Sequence, residues 1–401
     1  MENPKIRFKG FTKDWEQRKF GELYSKVSEK NDLSFGADKI ISVANMYFKE
    51  EVKESSDEYM RTYNVMRLGD IAFEGNKSKN YSHGRFVENT IGDGIVSHVF
   101  DVFRPTTSYD LLFWKYLINN EGVMGRIMAR CTNASTMMTN LVASDFLKEK
   151  ILVPSLKEQK KIGAYFDSLD HLITLHQRKC DQTKNLKKYM LQKMFPQNGA
   201  KVPEIRFDGY TYDWEQRRFG EITELKSASR VHKDEWTSNG VPFYRSSDVM
   251  TAINGTENEK AFISEELYEK LSKVSGKLEE GDILVTGGGS VGNPYIVPDN
   301  KPLYTKDADL LWIKNKGKFH PYFLYEFFFS PTFRNYLGSI SHVGTIAHYT
   351  ITQLSDTPIG LPIFEEQKEV GEYFQSLDRL ITLHQRQTDF YKKISFYYIS
   401  S

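Results

Sequence analysis

Apolar and small residues recur in steps of four and three along residues 158–195, where Ile162, Phe166, Leu169, Ile173, His176, Cys180 and Thr183 mark one face. That spacing is the a/d seam of a helix whose partner is another helix. The same seam returns in a stretch beginning at Glu366, with Val370, Phe374, Leu377, Ile381, His384, Thr388 and Tyr391 at a constant shift of 208 residues. Neither stretch has a proline or other break after its first turn, and both exceed the usual length of a globular helix. At about 1.5 Å per residue the first would be about 55 Å long. Two long helices of like design in one chain are expected to pack on each other.

A second repeat frames the first. The block PKIRFKGFTKDWEQRKFGEL, Pro4 to Leu23, returns as PEIRFDGYTYDWEQRRFGEI, Pro203 to Ile222, at a shift of 199 residues. Repeated ends around an unlike middle mean one duplicated framework holding two different inserts. Trp15, Trp214, Phe8 and Phe207 read as core or helix-docking residues. In each insert Gly-Asp-Ile, at 69–71 and 281–283, opens an apolar run that reads as a strand and leads into a polar loop. Further strand-like runs follow, then helical stretches around Leu111–Ile118 and Tyr322–Phe329. Pro196 and the connector after it stop the first helix.

The expected fold is α+β: two pseudo-two-fold-related mixed α/β domains separated by a long antiparallel two-helix coiled coil. The boundaries read as 1–157 for the first domain, 158–195 for the first helix, 196–202 for a linker, 203–364 for the second domain and 365–401 for the second helix.

Composition narrows the class. A chain of 401 residues suggests two or three domains. It has no long apolar run and no signal-like start, so no membrane span is expected. Two cysteines, Cys131 and Cys180, cannot make a disulfide framework and point to a reducing, cytoplasmic setting. A formal net charge of +1 argues against coating nucleic acid by bulk charge, while leaving room for local basic faces. The largest runs from Arg178 to Lys201 and reads first as a solvated helix face.

The paired segments EQKKIGAYFDSLDHLITLHQR and EQKEVGEYFQSLDRLITLHQR, with the repeated DWEQR(K/R)FGE blocks, closely resemble the conserved regions of type I restriction-modification specificity subunits. The resemblance covers the chain in order. It implies that each divergent domain is a target recognition domain reading one half of a bipartite double-stranded DNA target, while the helices fix the gap. It also implies two methyltransferase subunits and two restriction subunits as partners, with S-adenosylmethionine, ATP and Mg on those partners and no cofactor on this chain. Half-sites on one face of B-DNA lie about 34–36 Å apart or a multiple of that, the scale of such a spacer. One departure stands out: the first helix ends KNLKKYMLQKMF, the second FYKKISFYYISS.

No catalytic residue is expected. Gly287 to Gly292 spells G-x-G-x-x-G, but Asn293 and Pro294 follow where a phosphate site needs a helix. His176 and Cys180, four apart, fall on the seam and read as packing residues, not metal ligands. The DNA-reading candidates lie in the polar loops. They are Lys77, Lys79, Asn80, Tyr81, His83 and Arg85, then Asn133, Ser135 and Thr136, in the first domain. The second offers Tyr244, Arg245, Ser246 and Ser247, then Ser290, Asn293 and Tyr295, then Thr345, His348 and Tyr349. The rival readings are a self-sufficient DNA methyltransferase or nuclease, and a scaffold that only joins proteins.

Overall fold

The computed structural model describes the backbone of residues 4, 6–50, 56–134, 138–306, 309–340 and 348–400, and the side chains of all of these but 134 and 396–400. The chain forms two compact units: Met1–Gln177 with Arg386–Ser401, and Arg178–Gln385. The division falls inside the two long helices, so half of each helix belongs to each unit.

In the first unit, strand β1 (Glu16–Lys19) pairs antiparallel with β6 (Lys150–Val153), which closes the N-terminal block against the segment leading into the long helix. Between them lies a four-stranded antiparallel sheet of β2 (Tyr24–Lys26), β3 (Ile71–Glu74), β4 (Arg85–Glu88) and β5 (Val102–Pro105), in the order β2-β5-β3-β4. Ile71, Phe73, Phe86 and Phe103 of this sheet share a core with helices α1 (Leu111–Ile118) and α2 (Glu121–Cys131). Both helices start on a side-chain cap, Asp110 accepting from the Phe113 N–H and Asn120 from the Val123 N–H. The chain then enters α3 (Leu156–Lys193).

The second unit repeats this plan with an unlike sequence. Strand β7 (Glu215–Arg218) pairs with β13 (Pro358–Leu361). Its sheet joins β8 (Leu225–Ser227), β10 (Ile283–Thr286), β11 (Pro294–Ile296) and β12 (Leu310–Ile313) in the order β8-β12-β10-β11. That is the same strand order as in the first unit. A further sheet, containing β9 (Val241–Tyr244), leads into α4 (Ser246–Asn254). Helices α5 (Pro321–Phe327) and α6 (Pro331–Ile340) take the places of α1 and α2, and α7 (Phe364–Ser400) that of α3.

The repeated motifs have repeated jobs. Gly69 and Gly281 turn the chain with φ of +87° and +84°, a region open to glycine. The aspartate that follows is buried and braces the turn: Asp70 accepts from the Arg67 N–H and the Arg104 guanidinium, Asp282 from the Glu279 N–H and the Trp312 indole. At the start of each long helix a buried glutamate accepts two hydrogen bonds from an arginine of the N-terminal block. Glu158 takes Arg7 at 2.9 and 2.8 Å, and Glu366 takes Arg206 at 2.7 and 2.8 Å together with the Trp214 indole. The next residue is a staple. Gln159 accepts from the Asp110 N–H and donates to the Pro154 carbonyl; Gln367 does the same with His320 and Pro362. One turn on, Gly163 and Gly371 let the helix approach so closely that an added Cβ would lie 2.7 and 2.9 Å from the backbone nitrogens of Phe113 and Phe323.

This close approach adds to the expected pairing of the helices. All the seam residues are buried or half-buried, and the first turns of the seam also dock on their own domain, in the second unit together with the end of α3. Ile162 joins the first unit's core, Phe166 lies 5.2 Å from the Tyr116 ring, and Val370, Phe374 and Leu377 join the second unit's core. Leu169, Ile173, His176, Ile381 and His384 continue the face. The long helices pair along the same face. In the second unit Cys180 sits beside the Ile381 carbonyl, Lys187 bonds Asp378, and the Phe195 ring meets Phe374, so the two segments run antiparallel. In the first unit His176 stacks on Tyr391 with ring centroids 5.7 Å apart.

Two predictions follow from buried charge. Replacing Glu366 by alanine leaves Arg206 and the Trp214 indole without their acceptor, and should lower stability by about 3–5 kcal/mol in urea denaturation followed by tryptophan fluorescence. A loss as small as that of a surface pair, about 1 kcal/mol or less, would contradict the buried latch. Glu88 is buried at the end of β4, and neither carboxylate oxygen has a hydrogen-bond partner among the described residues. Burial, reinforced by Asp110, pushes its pKa up to about 9. The folded state therefore keeps a proton that the unfolded chain releases above its ordinary range, so this stability is full at low pH and is lost as pH rises towards 9. Glu88→Gln should stabilise the protein at pH 8 relative to the parent and not at pH 4.5; an equal effect at both would contradict a buried neutral carboxyl.

Candidate nucleic-acid interface

The sheets place one polar loop at the same position in each unit, at the tip of the hairpin between the second and third strands. In the first unit residues 75–84 join β3 to β4, with Lys77, Lys79 and Asn80 exposed and Tyr81 and His83 half-buried. Arg85 is not a free reader. Its guanidinium donates to Glu74 at 3.0 Å and to the Ala44 carbonyl, and lies under the Tyr81 ring. Asn133 is exposed on a short ribbon, Thr132–Ala134 paired with Thr139–Leu141. Ser135 and Thr136 lie outside the described residues. Thr139 pins this ribbon to the hairpin mouth, its N–H donating to the Gly75 carbonyl and its hydroxyl to the His83 carbonyl. Two of the expected places are thereby brought together.

In the second unit all three expected places meet. Gly287–Asn293 joins β10 to β11; the Gly287 N–H donates to the Asp309 carbonyl, and the Gly287 carbonyl accepts from the Tyr349 N–H. The Ser246 hydroxyl, at the start of α4, also donates to the Asp309 carbonyl, at 3.0 Å. Ser247, Ser290 and His348 are exposed around this junction, and Ser246 is half-buried. Thr345 lies outside the described residues.

Several candidates in this unit support the surface from behind. Tyr349 is 1% exposed, with its hydroxyl against the Thr357 hydroxyl. The Asn293 amide donates to the Ser290 carbonyl and accepts from Arg334, whose guanidinium also reaches the Val291 carbonyl. Tyr295 is half-buried against Tyr244, and burial raises its pKa. Arg245 donates to both oxygens of Asp248 and to the Glu259 carbonyl, which fixes the start of α4. The hydrogen bonds of Arg334 were invisible in the sequence, because no local pattern links residue 334 to a loop 41 positions away.

The charge map also differs from the sequence reading. The basic stretch after residue 178 is partly neutralised: Lys187 bonds Glu326 and Asp378, Lys193 pairs with Glu204 and Lys201 with Asp213. A denser basic cluster lies in the first unit, where Lys9, Lys157, Lys160 and Lys161 surround one small concavity. These lysines form no ion pair among the described residues. The equivalent positions of the second unit are Asp208, Glu365, Lys368 and Glu369. The signal was present in the sequence as a difference between the two repeats.

The glycine-rich loop runs from strand to strand, with Pro294 opening β11, so it presents no helix start to a phosphate. Cys180 is buried and His176 is covered by Tyr391, both packing roles. Among the described residues no group of three His, Cys, Asp or Glu is disposed to hold a metal, and no helix is long and apolar enough to cross a membrane.

The sequence profile of a family described as type I restriction modification DNA specificity domain matches residues 12–185 and again 212–389. The chain is 26% identical over 251 residues to the type I restriction enzyme MjaVIII specificity subunit of Methanocaldococcus jannaschii, an alignment spanning 60% of this chain and 58% of that one. A Haemophilus influenzae protein provisionally named a type I specificity subunit is 26% identical over 41% of this chain and 40% of its own. A second M. jannaschii protein, provisionally named the MjaX specificity subunit, is 22% identical over 94% of this chain and 89% of its own. Among solved structures, the S subunit of a type I system from M. genitalium superposes with a TM-score of 0.59 at 14% identity, covering 99% of this chain and 98% of that one. That likeness is one of fold.

The Arg245 contacts give a direct test. Arg245→Ala leaves Asp248, 7% exposed, with fewer donors, and should cost about 1–3 kcal/mol in urea denaturation. An unchanged midpoint, with loss of DNA binding, would put the guanidinium on the nucleic acid instead.

Proposed function

Because the chain belongs to the type I restriction-modification DNA specificity family, we propose that it reads a bipartite double-stranded DNA target, one half-site with each unit. The observation that carries this is structural: two sheets of identical strand order present, at the same hairpin, two loops that differ in length, charge and most of their sequence. A scaffold needs no such divergence. A reader of two unlike half-sites requires it.

Within each unit the exposed loop side chains face the DNA and the buried ones hold them in place. Lys79 supplies a phosphate contact and Asn80 can pair with a base edge in the first unit; Ser247, Ser290 and His348 are the equivalents in the second. Arg85, Arg245 and Arg334 set loop shape. The lysine cluster at the start of α3 lies off this surface, because two units that bind DNA alike would not place Lys157 and Lys161 where their counterparts are Glu365 and Glu369. The long helices set the gap between half-sites.

The chemistry belongs to partners: two methyltransferase subunits carrying S-adenosylmethionine, and two restriction subunits using ATP and Mg. This chain's part is non-catalytic. It holds the target sequence in register so that methylation or cleavage is directed to it.

The test is a domain exchange. Residues 20–150 are replaced by the corresponding insert of another member of the family, and the purified assembly selects binders from random duplex DNA. One half-site should change while the other half and the gap stay fixed. A change in both halves would overturn the assignment of one reader to each unit.

A further inference from the structure

In the second unit three segments meet at the hairpin: its own loop, the start of α4 and the closing segment at Tyr349. The first unit has the loop and a closing ribbon, and its topology supplies the third. In the second unit β9 runs parallel to Tyr304–Thr305, a short strand between β11 and β12, and then turns into α4. In the first unit Ile40 bridges in parallel to Ile95, which belongs to the short strand Gly94–Val96 between β4 and β5. The counterpart of the α4 start is therefore the turn that follows Ile41–Ser42. Here no helix forms, and residues 43–46 return the chain as the antiparallel strand Tyr47–Phe48.

This turn is tied to the mouth of the reading hairpin. Arg85, where the 75–84 loop ends, donates to the Ala44 carbonyl, and its Nε donates to Glu74, where the loop begins. The ribbon joins the same mouth through Thr139. Three segments therefore meet at the hairpin in this unit as well.

The turn is built to present side chains. The Met46 N–H donates to the Ser42 carbonyl at 2.8 Å, and Met46 takes a φ of +48°, a left-handed conformation that a long side chain holds only when its surroundings impose it. Packing imposes it here: Val43 is buried, and Met46 packs against the core that contains Ile41, Met66 and Val96. The residues between are left outside. Asn45 is exposed and Tyr47 is 50% exposed, and neither side chain makes a hydrogen bond among the described residues.

We propose that Asn45 reads an adenine in the half-site of the first unit, with Tyr47 as a neighbouring contact; this rests on the DNA-reading function proposed above. A side-chain amide is donor and acceptor at once, the pattern that pairs doubly with N6 and N7 of adenine in the major groove. Arg85 positions it by holding the backbone one residue away, and the strained Met46 fixes the other side.

The test is selection from random duplex DNA by the full chain assembled with its methyltransferase partner, with Asn45→Ala and Asn45→Asp beside the parent. The parent should select a split motif with adenine at one position that depends on residue 45. Asn45→Ala should lower the preference for that base about tenfold. Asn45→Asp, which can only accept, should move the preference towards cytosine, whose N4 donates. All other positions of both half-sites should stay as they are. An unchanged motif from both variants overturns the proposal while leaving two-half reading intact. A uniform loss on every sequence overturns it too, by making residue 45 a backbone contact or a purely structural one. A parent that selects no split motif overturns the DNA reading itself, and this assignment with it.

Discussion

Each unit depends on a carboxylate buried at the start of a long helix. Glu158 and Glu366 lose their water and regain their hydrogen bonds from one arginine each, Arg7 and Arg206, brought from the N-terminal block more than 150 residues away. A buried charge of this kind is tolerable only when fully paired, so the block, the closing strand and the helix must arrive together. The glutamine beside it ties the helix start to the cap of α1 or α5, and the glycine one turn later lets the two backbones meet. Four positions of EQKKIG and EQKEVG are thereby assigned: an ion pair, a two-ended hydrogen bond, an apolar seam residue and a close approach.

With the frame fixed this way, the inserts can diverge without changing the fold. The two sheets keep one strand order and one Gly-Asp turn, yet the loops they display differ in length, charge and glycine content. Side chains that read as free in the sequence divide into two groups. Lys79, Asn80, Ser290 and His348 face outwards, while Arg85, Arg245, Asn293 and Tyr349 are tied to the loops that carry them. A recognition loop needs both kinds, because a contact holds specificity only when its position is fixed by packing and hydrogen bonds.

What was legible in the sequence was what repeats. The duplicated seam, the N-terminal blocks and the Gly-Asp-Ile turns located both units and their main elements, because duplication separates a structural requirement from chance. The seam's first turns were legible only in part, since the heptad pattern does not say that Ile162 or Phe374 also meets its own domain; Gly163 and Gly371 carried that information. The interface was legible only as places. Arg245 and Arg334 bond groups that only the fold brings near them, and Tyr349 shows its burial only once the closing segment is folded over the hairpin. The lysine cluster of the first unit became visible when the repeats were compared for their differences.

The central claim is that this chain alone chooses the DNA sequence on which its partners act. Methylome sequencing tests it directly, using a host free of DNA methylation that expresses the chain with its cognate methyltransferase subunit, and each protein singly for comparison. A split motif with two defined halves and a fixed unspecified gap, present only when both proteins are made, is the predicted result. No new methylation from a pair shown to copurify, or the same motif from the methyltransferase alone, would contradict it.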